Sequence, residues 1–363
     1  MLMNQQHLAL AKKMSNMGVG ISASAGYTSY AKLSMTDLQA VFEEFKVLYG
    51  KSYSTKKEEA KRFHNFIGGM SRIDERNANV MSLGGTAVHG ISVFADLSEE
   101  EIQLKRGHLA SATAPASGLE KKAAVVPKHD GTLTATNWVD QYTTTGRMTT
   151  ENQGDCGDCW AFSSVQQIES DALRHGLITR DQSLSVQQVV SCDTEKNGVS
   201  SDFISYGCSG GTVTNGYNYA WSAGGLVLWT DYPYVSNAGK THSCKTELLQ
   251  QDSMVITVTN YYGVYTEDSM SDYILTTGPL SVLVDSSTWE TYQGGVFAED
   301  CGTNTDHAVQ IIGVDTEKGY WIVRNSWGSQ WGVDGYAYVK MNGNYCDISS
   351  AATYTDVAKA ATA

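Results

Sequence analysis

Three stretches of the chain place apolar residues at the three- and four-residue spacing of a helix. The first begins at a capping box formed by Thr36 and Gln39, ends at Gly50, and carries apolar side chains at Leu38, Val41, Phe42, Phe45, Leu48 and Tyr49. A second helix is predicted to begin at Thr55, with Glu58 three positions later, and one of its faces stays in register as far as Asn77. The segment 36–106 is therefore predicted to be helical.

The third helical stretch begins at Cys159, ends before Gly176, and carries Phe162, Val165, Ile168, Ala172 and Leu173 at helical spacing. Four later segments are rich in β-branched and aromatic residues and are separated by turn residues: 254–265, 279–286, 308–314 and 319–326. These patterns predict an α+β protein with a helical lobe followed by a β-rich lobe. A functional site is expected at the boundary between the two lobes.

Two segments lack a periodic pattern. Residues 108–128 are rich in Ala and Ser and contain two prolines, so they predict an exposed linker. Near the start of the chain, the only apolar run is 8–11, which is too short for the apolar core of a signal peptide.

Composition and charge indicate a folded protein that faces water. The 363 residues are 41% hydrophobic, carry a net charge of −13, and contain no apolar stretch near membrane-spanning length. Residues 126–363 contain 11 Lys/Arg and 27 Asp/Glu, whereas residues 1–125 contain 15 and 12. The acidic part argues against nucleic acid as a partner, and the opposite charges favour docking of the first part onto the second.

The segment 153–162 reads QGDCGDCWAF and combines the residue types that a thiol nucleophile needs. A cysteine attacks a carbonyl group as a thiolate, so its pKa must be lowered by a helix N-terminus, an imidazolium, or both. Cys159 is predicted to lie in the first turn of a helix. The pattern therefore points to Cys159 as a nucleophile.

Other interpretations of the individual residues remain open at this point. Cys156 and Cys159 form a CxxC, which elsewhere marks a redox dithiol or half of a zinc site, although no second ligand pair follows at short spacing. Taken alone, His307 would be a core histidine and Asn325 a turn residue. Their sequence neighbours favour a different interpretation.

Together these motifs resemble the papain-like cysteine proteases, and within them the cathepsin L-like subgroup. In that family a glutamine precedes the nucleophile by six positions, as Gln153 precedes Cys159, and Trp-Ala-Phe follows it. The run 306–308 (DHA) and the run 325–328 (NSWG) resemble the histidine and asparagine blocks of the family. Because the blocks are far apart along the chain, only folding would bring them together.

The resemblance implies a two-lobed papain-like fold, with a helical left lobe and a β-barrel-like right lobe. It implies a cysteine-type endopeptidase in which Cys159 and His307 form a thiolate–imidazolium pair, with no metal or organic cofactor. Asn325 would hold the imidazole and Trp327 would shield that contact from water. Gln153 and the backbone N–H of Cys159 would form the oxyanion hole.

The chain contains seven cysteines, none of them before Cys156. An odd number is expected for an enzyme that keeps one reactive thiol in an oxidising compartment. The resemblance pairs Cys156 with Cys208, Cys192 with Cys244, and Cys301 with Cys346, and leaves Cys159 free. These pairs imply an extracellular or lysosomal/vacuolar location.

The second predicted helix resembles the inhibitory propeptide of cathepsin L-like proteases at Glu58, Arg62, Phe66, Ile73 and Asn77. Gly90, Phe94 and Asp96 extend the resemblance, whereas Gly69 and Ser92 replace asparagines of the family. An ordinary amphipathic helix is the alternative interpretation of this helix taken alone.

The implied zymogen has four parts. They are an N-terminal segment over 1–35 that can be disordered, an inhibitory propeptide over 36–107, an activation linker over 108–125 and a peptidase domain over 126–363. We expect the chain to cut itself between residues 108 and 130 at acidic pH.

The resemblance also predicts where a substrate binds. Gly210 and Gly211 match the backbone that pairs with an extended peptide, and the specificity pocket is matched by Val213, Leu283, Ala308 and Ala351. This pocket predicts a bulky aliphatic or aromatic residue second on the amino side of the scissile bond, although Val213 and Leu283 would also suit a core. The expected partners of this monomer are peptide and protein substrates and its own propeptide, with no nucleic acid and no membrane.

Some features depart from the family or leave the function open. Asp155 and Asp158 replace small or neutral residues beside the two cysteines, and we interpret them as solvated surface carboxylates. The alternative is that Asp158 points toward Cys159, where its charge would oppose the thiolate and favour the imidazolium. The polar loop 193–207 is either a surface loop or a partner site. A catalytically silent homologue that only binds is the rival function, and the complete set Gln153, Cys159, His307 and Asn325 favours an enzyme.

Overall fold

The computed structural model describes residues 33–107, 119, 121–145, 151–193, 205–298 and 301–361, together with residues 4, 5, 8–10, 12 and 30. Most of the N-terminal segment 1–35, most of the linker 108–125 and most of the loop 193–207 therefore lie outside the described residues. Three apolar cores hold the described chain, one in the propeptide and one in each lobe.

Three helices form the segment predicted to be a propeptide: α1 over Met35–Tyr49, α2 over Lys56–Ser82 and α3 over Glu99–Arg106. The predicted capping box of α1 is wrong. Ser34 caps the helix instead, because its hydroxyl accepts a hydrogen bond from the Asp37 backbone at 3.2 Å and the Asp37 carboxylate accepts one from the Ser34 backbone at 3.1 Å. The prediction that Gly50 ends the helix is confirmed, since this residue is left-handed with φ 63°.

The start of α2 is also confirmed, because the Thr55 hydroxyl caps it by accepting a hydrogen bond from the backbone N–H of Glu58. Near its other end, the Asn77 side chain makes two hydrogen bonds to the backbone of His89. These bonds hold β1 (Val88–His89), which pairs antiparallel with a strand of the peptidase domain. The predicted propeptide is thereby fixed to the rest of the chain through main-chain contacts.

Packing within the propeptide explains why Gly69 stands where the family signature has asparagine. A Cβ atom on Gly69 would lie 2.9 Å from the carbonyl oxygen of Ala95. Helix α2 and the chain before α3 approach each other too closely here for a larger side chain. Glycine at this position therefore follows from packing.

The helical lobe contains α4 (Val139–Tyr142), α5 (Cys159–Arg174), α6 (Val186–Cys192) and α7 (Val213–Ser222). The predicted helix that begins at Cys159 is confirmed as α5. All of its residues from Cys159 to Ala172 are buried, because it packs against α7 and against strands of the β-rich lobe. This burial fixes the direction in which the N-terminus of α5 points.

The β-rich lobe is built on a largely antiparallel sheet with strand order β2-β4-β10-β5-β7-β8-β9, and β3 pairs with β7. Its strands are β2 (Lys121–Ala123), β3 (Ala135–Asn137), β4 (Ile256–Val264), β5 (Leu280–Val284), β7 (His307–Asp315), β8 (Tyr320–Arg324), β9 (Tyr336–Lys340) and β10 (Ala352–Lys359). Helix α8 (Glu267–Thr276) lies between β4 and β5, and β6 (Tyr292–Gly294) is the partner of β1. The α+β prediction is confirmed, and the four predicted strands correspond to β4, β5, β7 and β8.

Three disulfides join Cys156 to Cys208, Cys192 to Cys244, and Cys301 to Cys346, which are the pairs that the resemblance implies. Cys159 is free and buried. Among the described residues, no helix combines the length and the apolar composition that a bilayer crossing requires.

Candidate active site

Cys159 is the first residue of α5, so its thiol lies at the positive end of a long buried helix. Its Sγ donates a hydrogen bond to the carbonyl oxygen of Arg106 over 3.1 Å. The last residue of α3 in the propeptide therefore covers the predicted nucleophile. A peptide substrate would need this same space.

His307 and Asn325 come together because β7 begins at one of them and β8 ends immediately before the other. The Nε2 of His307 lies 2.8 Å from Oδ1 of Asn325, and this oxygen also accepts a hydrogen bond from the backbone of Ser326. Since a side-chain amide oxygen only accepts, Nε2 carries the proton in this pair. The buried Nδ1 of His307 has no hydrogen-bond partner within the described part of the chain, so it is available to a thiol.

Trp327 covers the His307 ring, with the ring centroids 4.7 Å apart. Phe94 of the propeptide packs edge-on against the same indole at 5.4 Å. His307 and Trp327 are thus both buried from water in the full-length chain.

Gln153 is fully buried beside the nucleophile. Its Nε2 donates to the carbonyl oxygens of Lys105 and Cys156, at 2.6 and 2.7 Å. Its Oε1 accepts from the Ser326 hydroxyl at 2.6 Å, which fixes the orientation of the amide. The Lys105 carbonyl of the propeptide therefore already accepts a hydrogen bond from the Gln153 amide, which is one of the two donors predicted for the oxyanion hole.

Burial dominates the protonation of the predicted catalytic pair. It raises the pKa of the Cys159 thiol to about 12, against the hydrogen bond from the Ala308 backbone, which lowers it. Burial also lowers the pKa of His307 to about 4, against the hydrogen bond to Asn325. Both groups are therefore neutral between these two values while the propeptide is in place.

The propeptide crosses the cleft as the segment 105–107. Lys105 Nζ pairs with the Asp155 carboxylate at 2.5 Å and donates to the Gly154 carbonyl at 2.8 Å. Gly107 has φ 75° and lies against Gly157. The cleft is therefore filled by backbone and by cationic side chains.

Asp158 is not the solvated surface carboxylate that the sequence suggested. It is fully buried, and its Oδ2 accepts a hydrogen bond from the hydroxyl of Tyr234 at 2.8 Å. Burial raises its pKa well above the ordinary value. Asp155 does have an exposed side chain and pairs with Lys105 of the propeptide, so the original interpretation fits that residue alone.

The residues predicted to bind substrate lie on α7, on the β5–β7 pair and immediately before these elements or β10. Gly210 and Gly211 are buried just before α7, and Val213 begins that helix. Val213 and Ala308 belong to one apolar cluster with Cys159, and Leu283 packs against this cluster from the position opposite Ala308 in the β5–β7 pair. Ala351 is half-buried immediately before β10.

Four residues near the site were not identified as functional from the sequence. Ser326 orients Gln153, Tyr234 contacts Asp158, and Arg106 of the propeptide pairs with Glu290 at 3.2 Å. Ser326 is visible in the sequence only as part of the asparagine block. The other contacts join residues far apart in the chain, so no local pattern could have revealed them.

Comparisons with known proteins agree with this arrangement. Residues 135–356 match the model of the papain family cysteine proteases, and residues 42–102 match the cathepsin propeptide inhibitor domain (I29). The probable cysteine protease RD19C of Arabidopsis thaliana is 35% identical over 309 residues, which cover 81% of this chain and 78% of that protein. The viral cathepsin of Adoxophyes honmai nucleopolyhedrovirus is 30% identical over 342 residues, which cover 90% of this chain and 94% of that protein.

Solved structures show the same likeness. The digestive procathepsin L2 proteinase from the larval midgut of Tenebrio molitor matches with a TM-score of 0.73 and 28% identity, over 88% of this chain and 99% of that chain. Digestive procathepsin L 3 from the same tissue matches with a TM-score of 0.69 and 28% identity, over 89% and 99% of the two chains. This chain therefore belongs to the papain family of cysteine proteases and carries a cathepsin-type inhibitory propeptide ahead of its peptidase domain.

Proposed function

We propose that this chain is the autoinhibited zymogen of a cysteine endopeptidase, with Cys159 as the nucleophile and His307 as its proton partner. The observation that supports this most strongly is the hydrogen bond from Cys159 Sγ to the carbonyl oxygen of Arg106. The chain supplies its own backbone carbonyl to the nucleophile and holds it there. Inhibition by occupation of the site follows.

In the mature enzyme, water re-enters the cleft and the thiol proton moves from Sγ to Nδ1 of His307. The thiolate attacks the carbonyl carbon of the scissile bond, and the resulting oxyanion is stabilised by Nε2 of Gln153 and the backbone N–H of Cys159. The imidazolium returns its proton to the leaving nitrogen, and the carbon–nitrogen bond breaks to leave a thioester. Water, deprotonated by His307, hydrolyses the thioester and restores the thiol.

Two further residues support these steps. Oδ1 of Asn325 accepts a hydrogen bond from the Nε2–H of His307, which fixes the ring and leaves Nδ1 to take the thiol proton. Trp327 covers this hydrogen bond and excludes water from it. Both act through the imidazole.

We place the functional boundaries where the sequence suggested them, with the inhibitory domain over 36–107, the activation linker over 108–125 and the peptidase domain over 126–363. Cleavage between residues 108 and 130 in acid would allow the propeptide to leave the cleft. The three disulfides support an extracellular or lysosomal/vacuolar compartment, because such bonds persist in an oxidising environment.

The proposed specificity is for an aliphatic or aromatic residue second on the amino side of the scissile bond. Val213, Leu283 and Ala308 support it, because Val213 and Ala308 belong to the apolar cluster that contains Cys159 and Leu283 packs against that cluster. Ala351 adds a small side chain that leaves room in the pocket. A peptide library that favours Arg or Glu at this position would overturn the specificity and leave the reaction class intact.

Activation of the full-length chain tests the function. The purified chain should hydrolyse peptides slowly, gain activity together with loss of the N-terminal segment in acid, and then bind one epoxide-type thiol inhibitor at Cys159. The Cys159→Ala chain should keep its propeptide and show no hydrolysis. Full activity of the uncut chain, or of the Cys159→Ala chain, would refute the proposal. If the chain were a homologue that only binds, acid treatment would produce no peptide hydrolysis.

A further inference from the structure

Glu290 is a buried carboxylate that three arginines of the propeptide cover. It lies in the short 3-10 turn Trp289–Thr291, and its side chain is only 2% exposed. Arg76 lies 2.5 Å from its Oε1, Arg106 lies 3.2 Å from its Oε2, and Arg72 lies 3.8 Å from Oε1. All three of these cations belong to the propeptide, so all three leave when it is removed.

Arg106 shows what this wall can bind. Besides Glu290, its guanidinium donates to the carbonyl oxygen of Ser287 at 3.1 Å and lies 3.7 Å from the Asp306 carboxylate. Two carboxylates and one carbonyl oxygen thus surround a single guanidinium. A planar cation with several donors fits such a set better than an ammonium does.

Glu290, Asp306 and the Ser287 carbonyl form a cradle for this guanidinium. The cradle lies near the nucleophile, because the backbone carbonyl of the same Arg106 accepts the hydrogen bond from Cys159. From there the chain continues past Gly157, and Leu119 donates a backbone hydrogen bond to Asn218 in α7 at 2.8 Å. Arg106 at Glu290 and Leu119 at α7, the helix that begins at Val213, thus lie in that order along the chain. If the Val213 pocket takes the amino side of a substrate, the Glu290 cradle faces the carboxyl side.

We infer that Glu290 selects substrates with Arg, and more weakly Lys, immediately on the carboxyl side of the scissile bond. This inference rests on the proposed function and on its assignment of the Val213 pocket. Loss of the propeptide leaves a carboxylate in a site shaped for a guanidinium, and a substrate arginine restores the pair. The neighbouring propeptide residue Lys105 pairs with Asp155, so a second basic residue is accommodated next to Arg106.

Matched peptides measure this selection directly. Three internally quenched peptides would carry Leu second on the amino side and would differ only in the residue after the scissile bond, which is Arg, Gln or Glu. The mature enzyme is obtained by acid treatment of the full chain and assayed at about pH 6, where an ordinary carboxyl is ionised. We expect kcat/KM for the Arg peptide to exceed that for the Gln peptide by about tenfold and the Glu peptide to be the slowest.

The variant Glu290→Gln removes the charge and keeps the shape, and it should bring the Arg/Gln ratio close to one. Glu317→Gln is the control, because Glu317 is exposed in the turn between β7 and β8, and it should keep the wild-type ratio. Equal rates for the Arg and Gln peptides in the wild-type enzyme, or an unchanged ratio in Glu290→Gln, would overturn the inference.

If the Glu290→Gln chain does not fold, cleavage sites mapped by mass spectrometry in a mixed peptide digest provide a second measurement on the wild-type enzyme. Enrichment of Arg and Lys directly after the cut bonds supports the inference, and its absence refutes it. Failure to cut any peptide would instead refute the proposed function. The two failures are thus distinguishable.

Discussion

Gly107 lies so close to Gly157 that a Cβ atom on Gly107 would be 2.5 Å from the Gly157 carbonyl oxygen. Two glycines facing each other let the propeptide backbone lie directly on the wall of the cleft beside Cys159. A side chain at either position would push the inhibitory segment away from the nucleophile. Backbone contact is therefore part of the inhibition.

The variant Gly107→Ala should weaken autoinhibition, because the new methyl group meets backbone that cannot move aside easily, and φ 75° disfavours any residue but glycine. We expect the full-length variant to activate several-fold faster than the wild type in a progress curve of peptide hydrolysis. Gly84→Ala is the control, since Gly84 has a similar φ of 68° and open space around its Cβ position. Equal activation rates for Gly107→Ala and Gly84→Ala would show that the contact with Gly157 is unimportant.

The reactivity of Cys159 should report whether the propeptide is in place. With the pKa of the thiol near 12 and that of His307 near 4, the full-length chain holds almost no thiolate at about pH 7. Iodoacetamide should therefore modify Cys159 at least about tenfold faster in the mature enzyme than in the full-length chain. The other cysteines are disulfide-bonded, so the label reports on this thiol alone. Equal rates before and after activation would contradict the account of the buried neutral pair.

Local patterns predicted the elements that local physics determines. Helix α5 follows from apolar spacing, the end of α1 follows from Gly50, and β4, β5, β7 and β8 follow from runs of β-branched and aromatic residues. The start of α1 was misplaced because Thr36 and Ser34 both suit a cap, and only the position of Asp37 decides between them.

The environments of single charges could not be predicted in the same way. Asp158 is buried and accepts a hydrogen bond from Tyr234, 76 residues further along the chain. Glu290 is buried because arginines of the propeptide reach it across 184 residues or more. Such contacts exist only in the folded chain, whereas the composition of the cysteine, histidine and asparagine blocks is visible in the sequence.

The pH at which the zymogen opens should depend on Glu101. Burial raises the pKa of this carboxyl, but the Ser98 backbone hydrogen bond and the cations Lys61 and Arg62 outweigh burial, so the pKa lies below its ordinary value. A carboxyl whose pKa is lower in the folded chain than in the unfolded chain stabilises the folded propeptide at pH values above the unfolded pKa. That contribution is lost as the pH falls through the folded pKa. Acid therefore loosens α3 from α2.

The variant Glu101→Gln should lack this contribution at every pH and activate at a higher pH than the wild type. Autoprocessing followed on gels across about pH 3 to 7 would locate both midpoints. Glu75→Gln is the control, because Glu75 is exposed on α2. If the midpoint for Glu101→Gln coincides with that for Glu75→Gln, the ion pairs of Glu101 do not govern opening.

The buried carboxyl of Asp158 should make the zymogen less stable as the pH rises. Because burial raises its folded-state pKa well above the unfolded value, its neutral form is favoured in the fold, and stability is lost as the pH increases from the unfolded pKa towards the folded one. Asn keeps the shape and still accepts the Tyr234 hydrogen bond without ionising. In a Cys159→Ala background, which prevents self-cleavage, Asp158→Asn should therefore gain stability relative to Asp158 as the pH rises from about 4 to about 8. Urea unfolding at several pH values measures the difference in the free energy of unfolding between the two chains. A difference that stays constant with pH would mean that Asp158 is ionised throughout and acts as a charge beside the nucleophile.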